Sequence, residues 1–292
     1  MWSRDGARIV IVDDDGLGRI WDVASGHEVA ELVGHRAAIL GVEYNRAGSE
    51  LLTWSFDGTA KVWDAKTGTL LHDLVGHEDL VRVARFSPDG TLIATGGHDG
   101  IAIVWDAQTG DVVSELMGHS HYVVNLEWSP DGTKLVTGST DSTAIVWNAR
   151  TGHDLITIHH RHFLLAVEFS ADNAHVLTTG LDHLTRVHDV ATRQPAFDLV
   201  DHTTVLQTVV SPDGNRIAIY GLDETATVYD VTTGHVVFEL RHRGQVNALA
   251  FSPDGTQIAT TSTDRRAQLW DAATGRLQHT LGYFRCDTNS VE

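Results

Sequence analysis

Apolar and polar residues alternate in short runs along the whole chain, never for long enough to make a helix. Val81-Arg82-Val83-Ala84-Arg85-Phe86 has the two-residue period of a half-buried strand. Ser87-Pro88-Asp89-Gly90 follows, a tight reversal because proline presets one backbone angle and Asp-Gly accepts the turn conformation. The same tetrapeptide recurs at 129–132, 211–214 and 252–255. A second apolar run, such as Leu92-Ile93-Ala94-Thr95, leads through an Asp-Gly or Asp-Xaa turn into a third that ends in Trp-Asp. Thr-Gly or Ser-Gly then turns into a fourth, for example Asp111-Val112-Val113-Ser114-Glu115-Leu116. The pattern predicts four short antiparallel strands per unit.

The unit repeats in register. Asp15, Asp57, Asp99, Asp141, Asp182, Asp223 and Asp264 are separated by 42, 42, 42, 41, 41 and 41 residues. Six residues after each stand Trp21-Asp22, Trp63-Asp64, Trp105-Asp106, Trp147-Asn148, His188-Asp189, Tyr229-Asp230 and Trp270-Asp271. Gly-His turns precede the first strand at Gly34-His35, Gly76-His77 and Gly118-His119, with variants His159-His160, Asp201-His202 and Arg241-His242. Four strands with β-branched residues and Gly/Pro turns exclude helical solenoids of similar period. Such a sheet cannot bury both faces alone, whereas radial stacking buries them and leaves short edges.

These motifs resemble the WD-repeat β-propeller family over essentially the whole chain. The resemblance implies an all-β, seven-bladed propeller of four-stranded antiparallel blades, a single domain over 1–292. The blades fall near 2–32 with 284–292, then 37–74, 79–116, 121–158, 162–199, 203–240 and 244–281. It also implies a tetrad of turn His, strand Ser/Thr, turn Asp and Trp indole in each blade. Carried over, the sets are His35/Ser55/Asp57/Trp63, His119/Ser139/Asp141/Trp147 and His242/Ser262/Asp264/Trp270. Elsewhere Gly97, Gly180 and Gly221 replace the hydroxyl, and His188 and Tyr229 the indole. Trp2-Ser3-Arg4-Asp5-Gly6 aligns with Trp128-Ser129-Pro130-Asp131-Gly132, so the C-terminal tail near 287–292 is expected to complete the first blade beside residues 7–13. Ends that fall inside a strand suggest a piece of a longer protein.

Charge and composition narrow the function. A net charge of −18 over 292 residues opposes nucleic acid and anionic membranes. There is no apolar run near 18 residues, and the single cysteine, Cys286, fits a reducing compartment such as the cytoplasm. His159-His160-Arg161-His162 invites a metal reading, but His160 is the tetrad histidine and no cysteine or spaced carboxylate accompanies it. Asp13-Asp14-Asp15-Gly16 lacks the alternation of a calcium loop; Asp15 reads as the turn aspartate. No metal, cofactor or catalytic residue is expected, since every Ser, His and Asp of interest has a repeat position.

In the family, partners contact the face bearing the inner-strand starts and the turns between second and third strands. The positions are three and five after the turn His, and the residue before the turn Asp. Here they give Leu40 and Phe56 (with Ala38); Leu80, Arg82 and His98; Tyr122 and Val124 (with Thr140); Phe163, Leu165 and Leu181; and Leu206 and Leu222 (with Thr204). Gln245, Asn247, Thr263 and Asp14 make blades seven and one polar. Large apolar residues on a loop face point to binding; a register slip of one would instead turn some into the core. The expectation is a monomeric, non-catalytic protein- or peptide-binding scaffold, similar to WD arrays joined to signalling domains. The alternative is a propeller enzyme or small-ligand binder using the channel mouth.

Overall fold

A computed structural model describes residues 1–182, 184–200 and 205–283, with the side chains of 200, 205, 206 and 283 left out. Among the described residues every regular element is a strand, and no helix is long and apolar enough to cross a membrane. The chain divides into two compact units, Met1–Ile158 and His159–Glu292.

The first unit carries four sheets. Arg8–Val12, Leu17–Asp22 and Glu28–Val33 form a three-stranded sheet. The next three have four strands each in sequence order: Ile39–Tyr44, Glu50–Ser55, Thr59–Asp64 and Leu70–Val75; Val81–Phe86, Leu92–Gly97, Ile101–Asp106 and Val112–Met117; Val123–Trp128, Lys134–Ser139, Thr143–Asn148 and Asp154–His159. The second unit repeats the plan with Leu164–Phe169, His175–Gly180, Leu184–Asp189 and Gln194–Val200. It continues with Val205–Val210, Arg216–Gly221, Thr225–Asp230 and Val236–Arg241, then Val246–Phe251, Gln257–Ser262, Arg266–Asp271 and Leu277–Tyr283.

The turns follow from the tetrapeptides. Ser129 Oγ donates to Asp131 Oδ1 at 2.6 Å, the Thr133 N–H donates to the same oxygen at 2.9 Å, and the Lys134 N–H donates back to Ser129 Oγ. One serine and one aspartate thus satisfy the reversal's orphan groups. Ser3 and Asp5 build the same device at 2.6 Å, with Ala7 N–H on Asp5, and Trp2 pairs with Ile9. Trp2-Ser3-Arg4-Asp5-Gly6 therefore folds as the sequence alignment with Trp128 anticipates. The expected pairing of the tail, like Cys286, lies outside the described residues.

Within each unit the core sits between successive sheets. Leu52, Val62 and Leu74 of the second sheet pack with Val81, Phe86, Ile93 and Trp105 of the third. Leu92, Val104 and Leu116 pack with Leu126, Leu135 and Trp147. In the second unit Ala218, Val228 and Leu240 meet Val246, Leu249 and Trp270. Second strands of the four-stranded sheets are therefore buried on both faces, Leu92–Gly97 without exception, while outer strands are largely open, as Val112–Met117 is with Leu116 alone buried. Trp63, Trp105 and Trp147 are fully buried. Each removes some 150–250 Å² from water, about 4–6 kcal/mol as an upper estimate.

Cross-strand charges reinforce the outer edges. Lys61 faces Asp73 and Arg186 faces Asp198 in the ladder between third and fourth strands. Lys61 is buried, and its Nζ reaches Asp73 Oδ1 at 2.5 Å, so its charge is paired where water is scarce.

Candidate functional site: the turn face of the blades

The network that pins each turn is His–Asp–Thr–Trp. His35 Nε2 meets Thr53 Oγ1 at 2.8 Å, His35 Nδ1 meets Asp57 Oδ2 at 2.9 Å, and Trp63 Nε1 donates to Thr53 Oγ1 at 2.8 Å. An indole N–H only donates, so the threonine accepts it and turns its own proton to His Nε2. Nδ1–H then donates to the carboxylate. The same contacts recur in His77/Thr95/Asp99/Trp105 and His119/Thr137/Asp141/Trp147. In His242/Thr260/Asp264/Trp270 the His–Asp distance opens to 3.5 Å.

The expected hydroxyls, Ser55, Ser139 and Ser262, are not in this network. Trp63 stands opposite Leu51. Thr53 is then the diagonal neighbour within aromatic reach, whereas Ser55 is four residues away, about 13 Å along the strand. Ser55 Oγ instead donates to the Ala37 carbonyl at 3.0 Å and accepts Asp57 N–H; Ser139 and Ser262 do the same with His121 and Gly244. Gly97 and Gly180 consequently cost the network nothing. His77 keeps Thr95, and His160 keeps Thr178 and Asp182 at 2.9 Å each. In blade six the threonine position is Ile219, not Gly221. Blade one departs too: Asp13, not Asp15, accepts the turn N–H groups of Asp15 and Leu17.

Burial lowers the pKa of His35, His119, His160 and His242, only partly opposed by their aspartates. These imidazoles are neutral struts. For Asp57, burial pushes the pKa up, but hydrogen bonds from Thr59, the Arg36 N–H and His35 outweigh it and hold the carboxyl at about 2. His188, in the indole's place, is buried, lowered by desolvation, and its Nδ1 has no hydrogen-bond partner among the described residues.

Above the network, the two loops of a blade are tied by one backbone hydrogen bond. Phe56 N–H donates to Ala38 O, His98 to Leu80, Thr140 to Tyr122, Leu181 to Phe163 and Thr263 to Gln245, at 2.9 to 3.0 Å. These pairs are the expected contact positions, three after the His and one before the Asp. The third position coincides with a bulge. Ile39↔Ser55 is followed by Gly41↔Trp54, Val81↔Gly97 by Val83↔Gly96, and Val123↔Ser139 by Asn125↔Gly138. Leu40, Arg82 and Val124 thus fall outside the ladder, as Leu165, Leu206 and Asn247 do in the second unit. A bulge leaves its extra residue unpaired and re-aims the side chain.

In the first unit Phe56 is 52% and Tyr122 40% exposed, and Arg82 is exposed; Leu80, His98 and Val124 are half-buried. The His98 ring stacks on Tyr122, centroids 4.1 Å apart and 9° from parallel, while His121 meets Tyr122 edge-on at 5.3 Å. Leu40 is a correction: it packs against the core shared by the second and third sheets. In the second unit Phe163 is 52%, Leu222 53% and Leu181 39% exposed, and Leu165 is half-buried. Thr204 and the Leu206 side chain lie outside the described residues. His160 is engaged with Asp182 and Thr178, and no group of three His, Cys, Asp or Glu suited to a metal occurs among the described residues.

One feature escaped the sequence reading. Near the Ser-Pro-Asp-Gly turns, Glu43, Arg85 and Glu127 line a recess of about 260 Å³ with Phe86, Trp128, Pro88 and Pro130. Glu43 accepts the Phe86 N–H at 3.2 Å, Trp128 Nε1 donates to Arg85 O at 3.3 Å, and Arg85 lies 5.8 Å over the Trp54 ring. Desolvation raises Glu127 to about 7, with Arg85 pulling it down and Glu43 pushing it up, although part of the side chain stays open to solvent. The 42-residue spacing of 43, 85 and 127 is legible in sequence; their shared recess is not.

Repeated antiparallel blades, four of them pinned by the full His–Asp–Thr–Trp network and five presenting clamped loops, define a repeat β-propeller. The family described as WD domain, G-beta repeat matches residues 26–64, 68–106, 110–148 and 234–271, over half of the chain, and the chain belongs to it. No curated protein matches the chain. Among solved structures, it is similar to the computationally designed Ika8 protein, with 26% identity and a TM-score of 0.81 over 98% of this chain and 87% of that one. The fold class is a seven-bladed β-propeller.

Proposed function

We propose that this chain is a non-catalytic docking platform that binds a protein or peptide through its turn face. WD-repeat propellers generally mediate protein interactions. The observation that carries the reading is the Tyr122–His98 stack with exposed Phe56, built on loops clamped backbone to backbone. A face already ordered gives up little conformational entropy when it docks, and exposed aromatics are effective anchors. Exposed Phe163, Leu181 and Leu222 give the second unit the same character. We read the setting as cytoplasmic signalling, on the single cysteine and the likeness of the repeats to arrays joined to signalling domains.

The test is binding of a partner captured from the native source, compared between wild type, Tyr122→Ala and Phe163→Ala. Loss of one central anchor weakens binding roughly thirtyfold, about 2 kcal/mol, with the fold intact. Equal affinity of both variants rejects the face. The small-ligand alternative has one observation in its favour, the Glu43–Arg85–Glu127 recess. A partner lost with Glu127→Gln but retained by Tyr122→Ala would favour it.

A further inference from the structure

We infer that the partner segment is acidic: an Asp or Glu side chain, next to an aliphatic or aromatic residue, pairs with Arg82. The inference rests on the docking reading and adds the chemistry of the occupant. Arg82 is the bulge residue between Val81↔Gly97 and Val83↔Gly96, so its side chain leaves the ladder at the turn face. The other bulge residues, Leu40, Val124, Leu165, Leu206 and Asn247, carry no charge. Arg82 is exposed, and no hydrogen bond or ion pair engages it among the described residues. Along the chain it lies two residues from Leu80, whose carbonyl holds His98 N–H, and His98 stacks on Tyr122.

Apart from Glu78, the turn carboxylates of these blades are engaged. Asp57, Asp99 and Asp141 hold His35, His77 and His119. Asp79 accepts the Leu80 N–H at 2.7 Å, and Glu78 is exposed on the same turn. A guanidinium with free N–H groups is matched to a carboxylate in two parallel hydrogen bonds. On a chain of net charge −18 the overall field repels an acidic partner, so a free arginine set among apolar anchors selects locally where the carboxylate sits.

A random heptapeptide library displayed on phage, selected against the whole chain, tests this with wild type, Arg82→Gln, Arg82→Glu and Tyr122→Ala. Expected are peptides rich in Asp or Glu beside Phe, Leu or Trp. The acidic preference disappears with Arg82→Gln and turns to Lys or Arg with Arg82→Glu; synthetic copies bind Arg82→Gln about tenfold more weakly. Peptides lost with Tyr122→Ala but without acidic excess, or with an excess that survives Arg82→Gln, overturn the inference alone. Peptides indifferent to Tyr122→Ala, or no enrichment at all, overturn the docking reading and this inference together.

Discussion

Replacing Thr137 with valine keeps its shape and removes one oxygen. That oxygen accepts Trp147 Nε1 at 2.8 Å and meets His119 Nε2 at 2.7 Å, and the residue is fully buried. Valine leaves an indole N–H and an imidazole nitrogen without partners where no water reaches. Each of the two orphaned groups costs about 1–3 kcal/mol, so the loss is about 2–6 kcal/mol. Ser139→Ala also removes two hydrogen bonds, to His121 O at 3.1 Å and from Asp141 N–H at 3.0 Å, but, although Ser139 itself is buried, these partners belong to residues at the turn that water reaches. Its cost is about 1 kcal/mol. Blade three is a natural control, because Gly97 stands at the serine position and the His77–Thr95–Trp105 contacts are intact. Urea unfolding of the two variants, with exchange of the Trp147 indole proton followed by NMR, gives the comparison. A Thr137→Val variant within 0.5 kcal/mol of wild type, at about the level of ordinary surface changes, would refute the assignment. So would a Ser139→Ala loss as large as that of Thr137→Val.

Acid should unfold the chain in two stages. His35, His119, His160, His188 and His242 are held below their usual value chiefly by burial, so the unfolded chain takes up protons near pH 6.5 that the folded chain refuses. Their contribution is complete above pH 6.5 and is lost as pH falls below it, at up to about 1.4 kcal/mol per pH unit for each histidine. Depressed Asp57, Asp99, Asp141 and Asp182 add a second loss below pH 3.8, extending to about 2 for Asp57; flat stability between pH 7.5 and 5 contradicts this. Gly16→Ala should destabilise by about 1–2 kcal/mol, since φ is +82° and a Cβ would lie 2.8 Å from Ala37 O, whereas Ser142→Gly, at φ 71°, should be neutral or stabilising. Thermal melts in which both changes act alike would count against it. Glycines 34, 76 and 118 would place a Cβ 2.9 to 3.1 Å from the following tryptophan ring, and blade five has His159 at that position. His188→Trp alone should therefore gain less than His188→Trp with His159→Gly in hydrogen exchange of Leu184–Asp189; equal protection rejects the coupling.

The repeat made the strands and turns readable, because each Ser-Pro-Asp-Gly and Trp-Asp states its local geometry directly. What failed was choice between equivalent partners on one face. Residues 53 and 55 are both hydroxylic, both buried and two apart, so alternation cannot separate them; only the Leu51↔Trp63 register does. Asp13 and Asp15 pose the same ambiguity at a turn. Bulges leave no mark in composition, so the exposure of Arg82 and the inward packing of Leu40, at one repeat position, could not be told apart. The recess of Glu43, Arg85 and Glu127 belongs to three strands from three sheets, and only packing assembles it.

The loop clamp uses N–H and C=O groups alone. Ala38–Phe56, Leu80–His98, Tyr122–Thr140, Phe163–Leu181 and Gln245–Thr263 share one geometry with unrelated side chains. The scaffold is thus indifferent to what is written on its surface. At the exposed members of these ten positions, Phe56, Tyr122, Phe163 and Leu181 among them, a residue able to adopt the backbone can be exchanged at little thermodynamic penalty, so selection can revise recognition while the fold stays fixed. Drift in specificity and retention of stability are separable in this architecture, and an engineer could rewrite one blade's pair of loop residues, renegotiating a neighbour only where the pairs touch, as His98 touches Tyr122.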